Sequence, residues 1–82
     1  MSTVRDVVEV LAKALTDHHD QIRVVETEHK GTTLVELYVA PNEVGRVIGK
    51  QGRTAAALRT LAATAGEKVG KTVTLEIRDG RP

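Results

Sequence analysis

The chain has 82 residues, 12 Lys and Arg against 11 Asp and Glu for a net charge of +1, no Cys, and one aromatic residue, Tyr38. Such a length makes one domain with a thin core, burying roughly 60% of the surface its unfolded form exposes, and the lack of cysteine rules out a disulfide framework, a thiol nucleophile and a Cys-based zinc site. So small a net charge argues against coating nucleic acid by charge alone, and a single aromatic argues against a sheet surface that stacks successive bases.

Val4, Val7, Val8, Leu11, Ala12 and Leu15 recur at helical spacing, with Arg5, Asp6, Glu9 and Lys13 turned away from them. The pattern predicts an amphipathic helix beginning near Thr3 or Val4. Thr3 followed by Asp6 resembles a capping box with Asp in place of the preferred Glu or Gln, and Asp6 suits the helix dipole. The helix is expected to fade through Asp17-His18-His19-Asp20, where the apolar spacing stops. With acids at Asp6 and Glu9 and no long apolar run, this end reads as neither a signal peptide nor a membrane span, and a cytoplasmic protein is expected.

Ile22 to Glu28 is rich in β-branched residues, His29-Lys30-Gly31-Thr32 reads as a turn, and Thr33 to Ala40 alternates with Val35, Leu37 and Val39 on one face. An antiparallel hairpin follows, with Gly31 at the positive-φ position and Leu34, Glu36 and Tyr38 on the more open face. Tyr38 is expected to be a partly exposed strand residue. Pro41 stops the second strand, and Asn42 is a candidate N-cap for a short helix carrying Val44, Val47 and Ile48. After the loop Gly49 to Gly52, a longer alanine-rich helix starts at Arg53 with Leu58, Leu61, Ala62 and Ala65 on one stripe and Gly66 placed to end it. Val73, Leu75 and Ile77 then alternate with Thr74 and Glu76 in a final strand from Thr72 to Arg78. Residues 79–82 are expected to fray.

The order is α-β-β-α-α-β in a single domain spanning 1–82. A strand that returns after a helical crossover is most simply parallel to the one that entered it. The expected fold is therefore α+β, with three helices packed on one face of a three-stranded mixed sheet.

The chemistry concentrates at Val44-Gly-Arg-Val-Ile-Gly-Lys-Gln-Gly-Arg53. Gly49 and Gly52 bracket Lys50-Gln51, so the break carries little bulk and another backbone can approach; its N–H groups and the start of the following helix suit a phosphate. No acid falls between Glu43 and Glu67, whereas Arg46, Lys50, Arg53 and Arg59 all do, which makes the local field cationic in a nearly neutral protein.

Val-Ile-Gly-Lys-Gln-Gly-Arg, with an alanine-rich helix after it and β-type stretches on either side, resembles the signature of a KH domain. The element order resembles the type II arrangement of that fold, and the length is similar to that of the small bacterial stand-alone KH proteins of the KhpA type. The resemblance covers essentially the whole chain. It implies a loop that clamps the backbone of about four nucleotides of single-stranded RNA or DNA. Carried onto this sequence, Gly49, Lys50, Gln51, Gly52 and Arg53 form the clamp, with Arg46 adding attraction. Val44, Val47 and Ile48 would floor the adjacent groove, whose far wall would be a strand around Leu37 to Val39. For Val44 and Val47, core packing and groove lining both remain open, and Ile48 serves both. The resemblance also implies self-association, or pairing with a larger RNA-binding protein that carries its own KH domain, and a role as a post-transcriptional regulator or RNA chaperone.

Other readings fail on spacing. His18 and His19, with Asp17 and Asp20, sit side by side on a fraying helix end and do not converge on one ion, so no metal site is expected. No His is paired with a nucleophile, so no catalytic set and no cofactor are expected. Gly45-x-x-x-Gly49-Lys50 is one residue short of a P-loop, and Gln51 stands where the Mg²⁺-binding Ser or Thr is required. Ala55, Ala56, Ala57 and Ala63 reflect either helix propensity alone or a helix face that admits a second copy. A protein-interaction module with incidental RNA contact is therefore the alternative function.

Overall fold

The structure is a computed structural model that describes residues 2–80. Helix α1 runs over Thr3–Leu15, strand β1 over Arg23–His29, β2 over Thr32–Val39, α2 over Val44–Ile48, α3 over Arg53–Lys68 and β3 over Thr72–Asp79. This is the expected α-β-β-α-α-β order. The sheet order is β1-β2-β3, with β2 antiparallel to β1 and parallel to β3.

Helix α1 starts where its apolar spacing says it should, but Ser2 rather than Thr3 is the cap. Ser2 Oγ accepts the Arg5 N–H at 3.3 Å, leaving Thr3 as the first helical residue. Val4, Val8 and Ala12 are buried, with Val7, Leu11 and Leu15 packed at the edge of the core. Beyond α1, His29 pairs with Thr32 across a two-residue turn in which Lys30 (φ 50°) and Gly31 (φ 81°) both have positive φ. Two-residue hairpin loops of this kind match the twist of their strands, which makes Lys30 tolerable where only Gly31 was expected.

Val24 of β1, Val35, Leu37 and Val39 of β2 and Leu75 of β3 share the helix-covered face and meet α1, Val47 of α2, and Leu58, Ala62 and Ala65 of α3. Tyr38 points to the opposite face yet is only 8% exposed. Its strand is the central one, so its register neighbours are Arg23 on one side and Arg78 on the other. Its hydroxyl donates to Glu36 Oε2 at 3.2 Å, and Arg78 Nε donates to the same oxygen at 2.8 Å.

Four expectations are corrected. Asn42 caps nothing: Pro41–Glu43 form a 3-10 turn that runs straight into α2. Leu61 lies off the buried stripe and is 47% exposed, because Ala55, Leu58, Ala62 and Ala65 set the buried phase. Gly66 lies inside α3, which continues to Lys68. The helix ends instead at Gly70, in the left-handed region, where the Gly70 N–H donates to Glu67 O and the Lys71 N–H to Gly66 O, the paired bonds of a Schellman end. Finally, Asp79 pairs with Val39 and the Gly80 N–H donates to Val39 O at 3.0 Å, so β3 persists where fraying was expected. Arg81 and Pro82 lie outside the described residues.

Candidate nucleic-acid interface

The site begins at Glu43. This carboxylate is 2% exposed and sits where the 3-10 turn meets α2. Its oxygens accept the Asp17 N–H at 2.6 Å, the His18 N–H at 3.0 Å and a contact from His18 Nδ1 at 3.0 Å. These bonds tie the linker between α1 and β1 to the root of α2. The Asp17 amide, with help from the His18 amide and ring and against the cost of burial, holds the Glu43 carboxyl down at about 2. Sequence reading missed Glu43 because its partners lie 25 and 26 residues away, and an acid beside Pro-Asn at a helix start reads as a surface residue.

Helix α2 is short and ends on Gly49, whose φ of 78° and ψ of 170° turn the chain outward. A Cβ at Gly49 would fall 2.9 Å from Thr54 N and closer still to the Thr54 side chain, so the position demands glycine on two counts. Lys50–Gly52 form one 3-10 turn in which Gln51 (φ 57°) and Gly52 (φ 72°) are also left-handed. The Gly52 N–H folds back to Gly49 O at 3.1 Å. Helix α3 then starts with no side chain capping its N-terminus and no acid in its first turn.

Lys50, Gln51 and Arg53 are exposed around this break, and Arg53 Nη2 donates to Gln51 Oε1 at 2.8 Å. Among the described residues, neither Lys50 nor Arg53 has a carboxylate partner. Arg46 is different: its Nη1 lies 2.8 Å from Asp17 Oδ2 and 3.3 Å from Glu43 Oε2. The structure thus brings Gly49, Lys50, Gln51, Gly52 and Arg53 together at one exposed turn and leaves Arg46 in an ion pair one helical turn away.

The apolar candidates separate as well. Val47 is fully buried and belongs to the core, Val44 packs against that core half-buried, and Ile48 is half-buried beside Gly49. Leu37 and Val39 are fully buried in the central strand and form no wall. The strand with a free edge on the α3 side is β3. Between them runs a cleft of about 380 Å³ lined by Arg59, Thr60, Ala63, Val73, Thr74, Leu75 and Glu76. Arg59 Nε donates to Leu75 O at 3.3 Å, from helix to strand. No group of His, Asp and Glu among the described residues could hold a metal ion.

The family model described as "KhpA/KhpB, KH domain" matches residues 5–77. The RNA-binding protein KhpA of Aquifex aeolicus is 53% identical over 77 residues, covering 94% of this chain and 98% of its own. KhpA of Bacillus subtilis is 41% identical over 76 residues, covering 93% of this chain and 94% of its own. Among solved structures, Era in complex with MgGDPNP and nucleotides 1506–1542 of 16S ribosomal RNA superposes with a TM-score of 0.64 at 23% identity, over 93% of this chain and 29% of the Era chain. That likeness speaks to the fold alone. The matched motif, the element order and the near-complete coverage agree, and the chain belongs to the KhpA/KhpB family of KH-domain proteins.

Proposed function

We propose that this protein binds single-stranded RNA by gripping the backbone at Gly49–Gly52, as a binding protein rather than a catalyst. One observation carries the reading: an uncapped helix start with no acid in its first turn, beside two exposed cations, Lys50 and Arg53, that no carboxylate among the described residues neutralises. Backbone N–H groups at a helix start with unpaired cations beside them favour a phosphate. Relatives named as RNA-binding proteins support the choice of RNA. Phosphate contacts hold the strand without reading it. Base discrimination then falls to Ile48 beside the loop and to the α3–β3 cleft, where Arg59 donates and Glu76 accepts. A role in post-transcriptional regulation or RNA chaperoning in the cytoplasm fits a small binder of modest charge.

The test is fluorescence anisotropy of a short labelled single-stranded RNA with wild type and a Lys50→Asp/Gln51→Asp protein, both checked for folding by circular dichroism. Wild type is expected to bind with a salt slope of about 0.7 for each of roughly two to four phosphate contacts, and the variant to lose binding. Equal binding by the two proteins defeats the reading.

A second reading has its own observation. Leu61 is 47% exposed on α3, one turn from the exposed small residue Ala57, a face on which a second copy, or the KH domain of a larger RNA-binding protein, could dock. Self-association would raise avidity for RNA rather than exclude it.

A further inference from the structure

Arg46 stands three residues before Gly49 on α2, and residues so spaced lie about 5–6 Å apart on a helix. In the free protein its guanidinium leans toward the N-terminal end of α2 and is engaged by Asp17 and Glu43, and a swing of this long side chain brings it to a strand held at the loop. The two carboxylates hold it differently. Glu43 is buried and already satisfied by the Asp17 and His18 amides and the His18 ring, so it does not depend on Arg46. Asp17 is 76% exposed, and Arg46 is its one ion-pair partner among the described residues. Exposed pairs of this kind hold weakly and are screened by salt. A phosphate offers the same guanidinium fork a matching acceptor.

We propose that Asp17 is a built-in competitor of RNA: its carboxylate occupies Arg46 in the free protein, and a phosphate of the strand held at the loop displaces it. The proposal rests on the loop reading above. Displacement leaves the fold intact, because the linker is anchored to Glu43 through the Asp17 backbone N–H and not through its side chain. Asp17 thereby lowers the affinity of the clamp, and Arg46 becomes a phosphate contact only in the complex.

The experiment is anisotropy with a labelled single-stranded RNA octamer of randomised sequence, in a salt series. The proteins are wild type, Asp17→Asn, Arg46→Ala, the double variant of these two, and Lys50→Asp/Gln51→Asp. Asp17→Asn is expected to bind about two- to fivefold tighter at low salt, the range an exposed ion pair spans, with the gain shrinking as salt rises. Arg46→Ala is expected to bind more weakly with a slope shallower by about 0.7, and in that background Asp17→Asn should gain nothing. Equal affinity of wild type and Asp17→Asn, or the same gain with and without Arg46, overturns the proposal while the loop reading stands. Undiminished binding by Lys50→Asp/Gln51→Asp overturns the loop reading and the proposal with it.

Discussion

Glu43 shows how one buried side chain can tie two distant segments together, the α1–β1 linker and the start of α2. It is ionised inside the protein because two backbone amides and a histidine ring aim at it, and replacing it by Gln leaves those donors facing an amide that brings donors of its own. Glu43→Gln is expected to lower Tm by roughly 5–15 °C at neutral pH, since buried donors left unmet are costly in a domain of this size. Folding lowers this carboxyl from its ordinary 4.5 to about 2. The stability it contributes is therefore complete above the unfolded value and is lost as pH falls through the folded one. Thermal melts of the two proteins should converge between about pH 4.5 and 2, and a gap that stays constant over that range would contradict the account. The glycines of the loop divide in a similar way. Gly49→Ala meets both positive φ and Thr54, and the two together are expected to cost about 2–6 kcal/mol. Gly52→Ala has open space around it and should cost only the left-handed strain of about 1–2 kcal/mol. Urea melts of the two variants measure the difference.

At the scale of elements, two glycines that look alike in sequence have opposite uses. Gly45 is an ordinary helical residue with nothing within 4 Å of an added Cβ, so Gly45→Ala is expected to stabilise the protein by about 0.5–1 kcal/mol. Gly66 is buried where α3 crosses the start of β3, and a Cβ there would fall 2.9 Å from Lys71 O and press on Val73. Alanine would gain about 1 kcal/mol of helix propensity but cost about 1–3 kcal/mol of overpacking against backbone that cannot move alone. Gly66→Ala is therefore expected to destabilise, by about 1 kcal/mol net, and a stabilised Gly66→Ala in urea denaturation would show that the α3–β3 contact is slack. The same contact explains why the helix end was legible only approximately: a glycine near the end of an apolar stripe signals a stop, but Gly70 makes the stop and Gly66 makes the approach of helix to strand.

Across the whole molecule, the ion pairs lie away from the glycine turn. Ion pairs gather along α1, the α1–β1 linker and the hairpin, including Arg5 with Glu9 and Lys71 with Glu26 and Glu28. Among the described residues Lys50 and Arg53 have no carboxylate partner, which leaves the glycine turn cationic in a chain of net charge +1. With a core this thin, a surface leucine is more useful in an interface than in water. Sedimentation is expected to show apparent mass rising with concentration for wild type and holding at the monomer for Leu61→Glu; the same behaviour in both would leave that face of α3 solvated.

The sequence by itself determined the element order, the amphipathic face of α1, the mixed sheet and the place of the glycine loop, because each follows from spacing between near neighbours or from the handedness of a crossover. The tertiary structure alone decided what each side chain at the site is free to do. Glu43 is a buried anchor and Arg46 a bound cation because the α1–β1 linker folds back onto α2. Val47 is core, Tyr38 is covered, and β3 rather than β2 borders the α3 cleft, because β2 lies in the middle of the sheet. The bonds that tie the α1–β1 linker to α2 join residues 25 or more positions apart, and no local period encodes which of them will meet.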